Sequence, residues 1–287
     1  MAQTPFRVLS KSQLTSEERA RQVDLFEELT SLRDEAQGHE PGPLAADDPY
    51  VGSHWRFPPD QDITIVCSAL PQDYLGSMPY TDADDPNYVD LYRFGDLDAL
   101  LELYGHIRAA NPTNQVRVRT SGEELQVDDY TSHLVLLGGV DWNSITAELL
   151  HRLDVPVTQL ARESDDEPGG FVVEANGKTT TFSPTLRREE DREYLDEDVA
   201  HFFRAPSPLN DKRTVTICNG MYQRGTLGAV RALTDARFRH RNEKYLRRRF
   251  PDEGTFSVLC RVKVFRGAAV TPDWSTSSED LLHEWPV

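Results

Sequence analysis

The sequence predicts an α/β domain, a mostly parallel sheet with helices on both faces, carrying an inserted β-hairpin and preceded by an N-terminal helix. Three observations predict it. The runs at 63–67, 134–137 and 215–218 are apolar almost throughout instead of alternating, as strands buried on both faces are. Segments of helical period separate or follow them. Asn176-Gly177, between 171–174 and 179–182, supplies the positive φ angles that a two-residue hairpin turn needs. Buried strands joined through helices imply a parallel sheet covered on both sides.

Taken in order, Thr15-Ser16-Glu17-Glu18 reads as a capping box. Val23, Leu25, Phe26, Leu29 and Leu32 follow at helical spacing, so residues 1–37 form a helical appendage. Residues 38–60, rich in Pro, Gly and Asp, read as a linker. The main α/β domain is placed at 61–287. Its first strand is 63–67, and a long loop over 72–94 sets Tyr74, Tyr80, Tyr88 and Tyr92 among aspartates. A loop of that length points to function, and its tyrosines argue against disorder.

Asp96 reads as the N-cap of a helix carrying Leu97, Leu100, Leu103 and Ile107, which Asn111-Pro112 ends. A strand is expected at 116–119, a helical turn at 121–125, the central strand at 134–137 and a helix from Ser144 to Arg152. Beyond it come a strand at 155–160, an acidic turn at 163–168, the hairpin and a charged connection at 187–192. Val199 and Phe202 suggest a helix over 194–203, stopped by Pro206 and Pro208. A buried strand at 215–218 leads to a helix over 227–236. A last strand at 256–264 is placed near an edge because charges alternate along its second half.

Composition excludes several function classes. A net charge of −17 repels nucleic-acid phosphates and anionic membranes, so nucleic acid is not the expected partner. The basic run 237–249 is the exception, and it reads first as a solvated face paired with acidic neighbours. Cys67, Cys218 and Cys260 are too scattered for a disulfide framework and read as buried reduced thiols. No spacing suggests zinc, no motif specifies a cofactor, and no apolar run approaches the roughly 20 residues of a membrane span. With no signal-peptide pattern at the N-terminus, the expectation is a soluble, cytoplasmic protein whose N-terminal helix can meet a protein partner.

In parallel sheets, ligands bind beyond the carboxyl ends of the strands. Three turns would meet there, from Ser68 onward, over Gly138, Gly139, Asp141, Trp142 and Asn143, and over Asn219, Gly220, Tyr222, Arg224, Gly225 and Thr226. The free amides of such turns suit an anion. Gly220 and Gly225 have the spacing of a phosphate loop, but Thr226 follows Gly225 directly and the lysine is absent, which argues against a nucleoside triphosphatase. Asp141 and Asn143 are the candidate catalytic groups. Asn143 also reads as a helix cap. His106, His133, His151 and His201 read as structural histidines.

The two glycine turns, Leu136-Leu137-Gly138-Gly139 through Asn143 and Asn219-Gly220 through Val230, resemble those of Rossmann-like modules in prokaryotic S-layer-type and nucleotide-sensing conflict proteins. The main domain is similar to actinobacterial proteins of that kind. The resemblance implies a Rossmann-like fold and small-molecule sensing, and it assigns no catalytic residue. The leading expectation is therefore a regulatory domain that binds a nucleotide-like or other anionic small molecule. The alternatives are an enzyme acting at a nucleoside N-glycosidic bond, with Asp141 or Asn143 central, and a protein-interaction module.

Overall fold

A computed structural model describes residues 53–162, 169–175, 177–251, 254–276 and 279–286. The expected N-terminal helix, most of the linker and the acidic turn at 163–168 lie outside the described residues. The chain runs β1 (Ile63–Cys67), α1 (Gln72–Leu75), a 3-10 turn (Asp90–Arg93), α2 (Leu97–Ala110), β2 (Val116–Thr120), α3 (Val127–Tyr130), β3 (His133–Leu137) and α4 (Ser144–Arg152). It continues through β4 (Val157–Leu160), β5 (Gly170–Ala175), β6 (Lys178–Phe182), β7 (Thr185–Glu189), β8 (Arg192–Ser207) and β9 (Asn210–Gly220). The last elements are α5 (Gln223–Thr234), α6 (Arg239–Arg249), β10 (Phe256–Phe265), β11 (Ala268–Ala269) and β12 (Leu281–Trp285).

The sheet is mixed and strongly curled, closing part of a barrel, which overturns the expectation of a mostly parallel Rossmann-like sheet. Only β2, β1, β3 and β9 run parallel. From β9 onward every pairing is antiparallel, β9 to β8, β8 to β10 and β7, and β10 to β11 and β12.

The decisive element is β8, where a helix was expected over 194–203. Residues 198–203 are all buried, because β8 lies between β9 and β10 and is covered on both faces. Val199 and Phe202 are three apart, a spacing that fits a helix face and also fits a strand with no exposed side. The prolines mark the β8–β9 turn, and Pro206 sits beside a register shift. The charged stretch at 187–192, expected as a connection, is instead the end of β7, a tight turn and the first residue of β8. The turn expected at 121–125 is irregular, and the short helix α3 follows it. β10 is an interior strand, flanked by β8 and by β11 and β12, so its alternating charges do not mark an edge.

The strands of the parallel half alternate faces while staying buried. Ile63, Ile65, Cys67, Val135 and Leu137 join one core with Leu100, Leu103 and Ile107 of α2, Val230 and Leu233 of α5, and Leu246 of α6. Val66, Leu134, Leu136 and Ile217 face the other way, onto Ile145 and Leu149 of α4. Beyond β9 no helix among the described residues covers that second face. The antiparallel sheet β4-β5-β6 does so, with Val157, Phe171 and Val173 on Val199, Leu259 and Met221. Ala175 pairs with Lys178 across the expected two-residue hairpin turn.

The domain also begins earlier than the linker reading allows. Trp55 and Phe57 are core residues. The Asn111 amide donates to Trp55 O at 2.7 Å and accepts from Phe57 N at 2.8 Å. His54 and Ser53 both bond to the buried Glu243 of α6. The Pro- and Gly-rich composition of 38–60 conceals these two aromatic anchors. All three cysteines are free and buried, and burial pushes the Cys67 and Cys260 thiols up to about 12. Among the described residues no helix is long and apolar enough to cross a membrane.

Candidate functional site

Three parallel strands stop at the same level. Ser68 N donates to Leu137 O at 2.9 Å and Gly138 N to Cys218 O at 3.1 Å, so the turns after β1, β3 and β9 lie side by side. The chain passes from β1 to β2 on one side and back to β3 on the other, which leaves a crevice at the ends of β1 and β3. Beside it, between the turns after β3 and β9 and against Asp96 before α2, opens a pocket of about 290 Å³, at the small end of the range for small-molecule sites. Its walls carry Asp96, Asp141, Trp142, Arg162, Tyr222 and Gln223, with Gly139, Gln159, Gly220, Met221, Arg224 and Thr226 completing them.

Asp96 is the residue that sequence reasoning missed. It stands where a helix N-cap was expected, and its carbonyl does accept from Leu100 N. Its side chain makes no capping bond. The carboxylate turns under the sheet edge, where it accepts from the Ser68 and Thr226 hydroxyls. Among the described residues no Arg or Lys forms a salt bridge with it. Burial pushes its carboxyl above the usual range, the two hydroxyls pull it back, and the Asp98 charge adds to the rise. Gly138 makes this arrangement possible. Its φ is +101°, and a Cβ there would stand 2.6 Å from Asp96 Oδ2. The Gly138-Gly139 turn therefore approaches a carboxylate of the chain itself.

The second glycine pair also serves the fold. A Cβ on Gly220 would overlap the backbone of Gly225 and Thr226, so the first turn of α5 lies directly on the end of β9. The amides that the sequence offers to an anion at this helix start already have one. Asp198 of β8, fully buried, accepts from Gly225 N, from Tyr222 N at 3.1 Å and from Val199 N at 2.8 Å. Burial pushes the Asp198 carboxyl up to about 7 against the pull of these three donors, and the nearby Asp96 adds to the rise.

The candidates named from sequence thus divide. Gly139, Asp141, Trp142, Gly220, Tyr222, Arg224 and Thr226 line the pocket. Ser68 and Gly138 stand behind Asp96. Asn219 is buried and donates to Gln159 Oε1 at 2.8 Å, and Gly225 packs against Asp198. Asn143 is a fully buried cap. Its oxygen accepts from Ile145 N and Thr146 N, and its amide donates to Val66 O and Leu137 O. No polar group of Asn143 is left for chemistry.

Asp141 is half-buried and committed to Arg162, accepting its backbone N–H at 2.8 Å and pairing with its Nε at 3.5 Å. The Arg162 guanidinium lies 5.0 Å from the centre of the Tyr222 ring. Burial raises the Tyr222 phenol, and Arg162 acts against that rise. Arg224 pairs with Asp98 at the surface. From the long loop, Tyr74 reaches Trp142, with ring centres 5.8 Å apart.

The histidines are structural or distant. His133 bonds Thr214 and Gln61, His201 bonds Ser257, and burial lowers both. Burial also lowers His106, to about 4, and His151 is exposed. The basic run forms α6 and the turn before it. Leu246, Asn242 and Glu243 face inward, while Arg237, Arg241 and Arg249 pair with Asp235, Asp273 and Glu284.

Gln159, Arg162 and Asp198 carried no local motif. Each reaches the site from an element whose neighbours only the tertiary fold supplies. No protein-family model matches this chain, and no curated protein matches it in sequence.

Proposed function

We propose that the pocket holds a nucleoside-like molecule and that the protein is an enzyme acting at its N-glycosidic bond, by hydrolysis or sugar transfer. One observation carries this reading. Asp96 is a buried carboxylate at the pocket wall, held by two hydroxyls and unpaired with any described cation. A carboxylate placed so is costly to the fold and marks functional sites. Glycosidic cleavage develops positive charge on the sugar in an oxocarbenium-like transition state. An ionised Asp96 stabilises that charge and accepts a proton from the incoming water. Ser68 and Thr226 keep its oxygens oriented.

Trp142 and Tyr222 offer aromatic faces for a base. The start of α5 is filled by Asp198, so a phosphate on the ligand would fall to Arg162 and Arg224 instead. The ligand-sensing reading uses the same walls and differs only in leaving Asp96 without a chemical role.

The test is release of free base from a panel of nucleosides and nucleotides, followed by chromatography, with the full chain and with Asp96→Asn. Turnover that Asp96→Asn abolishes while ligand-induced thermal stabilisation survives supports the enzyme. Stabilisation by a ligand with no base released from any compound overturns it in favour of sensing. Neither signal from a folded protein points to the interaction module.

A further inference from the structure

We propose that this pocket selects N-glycosides whose leaving group is already cationic, that is, pyridinium-type nucleosides or nucleotides. The inference rests on the glycosidic reading above and narrows it to a leaving-group chemistry.

A neutral purine or pyrimidine departs as an anion unless an acid protonates it as the bond breaks. An enzyme for such a substrate needs one group to give that proton and another to take the proton of water. Among the described residues the pocket supplies one such group. Asp141 is tied to Arg162 through two contacts and is held as that residue's partner. Arginines do not release protons at working pH. Tyr222 lies under the Arg162 guanidinium, buried enough that its phenol holds its proton more tightly than an ordinary tyrosine. Among the described residues of the pocket wall, Asp96 alone is a carboxylate without a cation partner, and it is the one placed to exchange a proton. In a single displacement it can act as acid or as base.

A pyridinium N-glycoside removes the need for the acid. The C1′–N bond breaks with both electrons going to the ring nitrogen, and the cationic ring leaves as a neutral pyridine. Water adds to C1′, and its proton passes to Asp96 and then to solvent. The products are the free sugar, the neutral base and one proton, with no other co-reactant.

The surroundings suit a cationic ring. Trp142 presents a π face that attracts a cation, while the Tyr222 ring already carries the Arg162 guanidinium. Asp96 places a carboxylate without a described cation partner at the same wall, while Asp141 is paired with Arg162. Tyr74 joins Trp142 from a loop that also carries Asp73, Asp82, Asp84, Asp85 and Asp90, in a chain of net charge −17. Such a field attracts cations and raises their local concentration.

The experiment compares nicotinamide riboside with adenosine and cytidine as probes, on the full chain, reading free base and fitting kcat/KM. The expected result is a preference for the pyridinium probe of about a hundredfold or more, the size of a proton-transfer contribution that neutral substrates would lack. Substituted pyridinium ribosides should then react faster as the departing pyridine becomes less basic. Equal or faster cleavage of adenosine or cytidine would overturn the proposal and leave the glycosidic reading intact. Cleavage of none of the three, with thermal stabilisation by any, would overturn both. Asp96→Asn and Asp96→Glu separate a chemical role from a folding one. Both should retain the melting transition, and only Asp96→Glu should retain measurable cleavage.

Discussion

Asp96 and Asp198 flank the same first turn of α5, and their different surroundings separate a carboxylate kept for chemistry from one kept for structure. Both are buried, and burial raises both. Asp198 sits inside the fold and receives three backbone N–H groups. It completes a helix start that has no capping side chain of its own. Asp96 faces a cavity and receives only hydroxyls. Hydroxyls can rotate and exchange partners, whereas backbone amides are fixed. The first arrangement leaves an oxygen able to take a proton. The second turns both oxygens onto backbone amides inside the fold.

The comparison breaks most sharply at Asp96. Asp96→Asn should lower base release by about 10²–10⁴-fold, the range for loss of a positioned acid–base group. Its urea denaturation midpoint should stay near that of the parent chain, since Asn still accepts from Ser68 or Thr226. A large loss of stability instead would make Asp96 a second structural carboxylate and erase the contrast.

Asp198→Asn should do the reverse. One carboxamide oxygen cannot serve all three donors, and the amide group opposes one of them. At mildly acidic pH this should cost about 1–3 kcal/mol in denaturant titrations. The sign of its pH dependence follows from the raised carboxyl. Folded Asp198 holds its proton up to about 7 against an ordinary 3.8, so the folded state binds more protons between those values. Its stabilising contribution is complete below the lower value and disappears as pH rises through the upper one. The stability gap between parent and Asp198→Asn should therefore narrow across that window. A gap that widened would mean the three amides outweigh burial.

Smaller effects sharpen the contrast. In the parent chain, base release should fall as pH drops through the Asp96 pKa, above the ordinary carboxylate range, because the base form does the work. Ser68→Ala removes a donor to the ionised form, so it should move that acidic limb to higher pH. An unmoved limb would remove Ser68 as a positioning residue. Arg224→Ala, which breaks an exposed pair with Asp98, should change stability by no more than about 1 kcal/mol. A much larger change in the thermal melt would assign Arg224 a structural part in the fold.

How much of the site was legible depended on the range of the interactions involved. The strands β1, β3 and the end of β9 were readable because burial on both faces leaves an unbroken apolar run. Asn143 was readable as a cap because its partners, Ile145 and Thr146, are two and three residues away. Asp96 was readable only as a cap. The hydroxyl that turns it inward belongs to Ser68, 28 residues earlier. Asp198 lay in a segment assigned the wrong period, so its bond to Gly225, 27 residues on, had no trace in the local pattern.

The glycine pairs show the same limit. Their spacing correctly required close backbone approach, but what approaches was not in the spacing. At Gly138 it is the chain's own carboxylate, and at Gly220 the chain's own helix.

By itself, the sequence determined the parallel strands with their flanking helices, the Asn176-Gly177 hairpin and the level at which three turns end together. These follow from hydrophobic period and turn chemistry, which act over a few residues. Tertiary structure alone decided that the second half of the sheet is antiparallel and curls. A fully buried strand and a buried helix share the same composition, and only the strands on either side distinguish them. It also decided which of two buried aspartates faces the cavity, because burial and hydrogen-bond partners belong to the assembled neighbourhood and not to the residue.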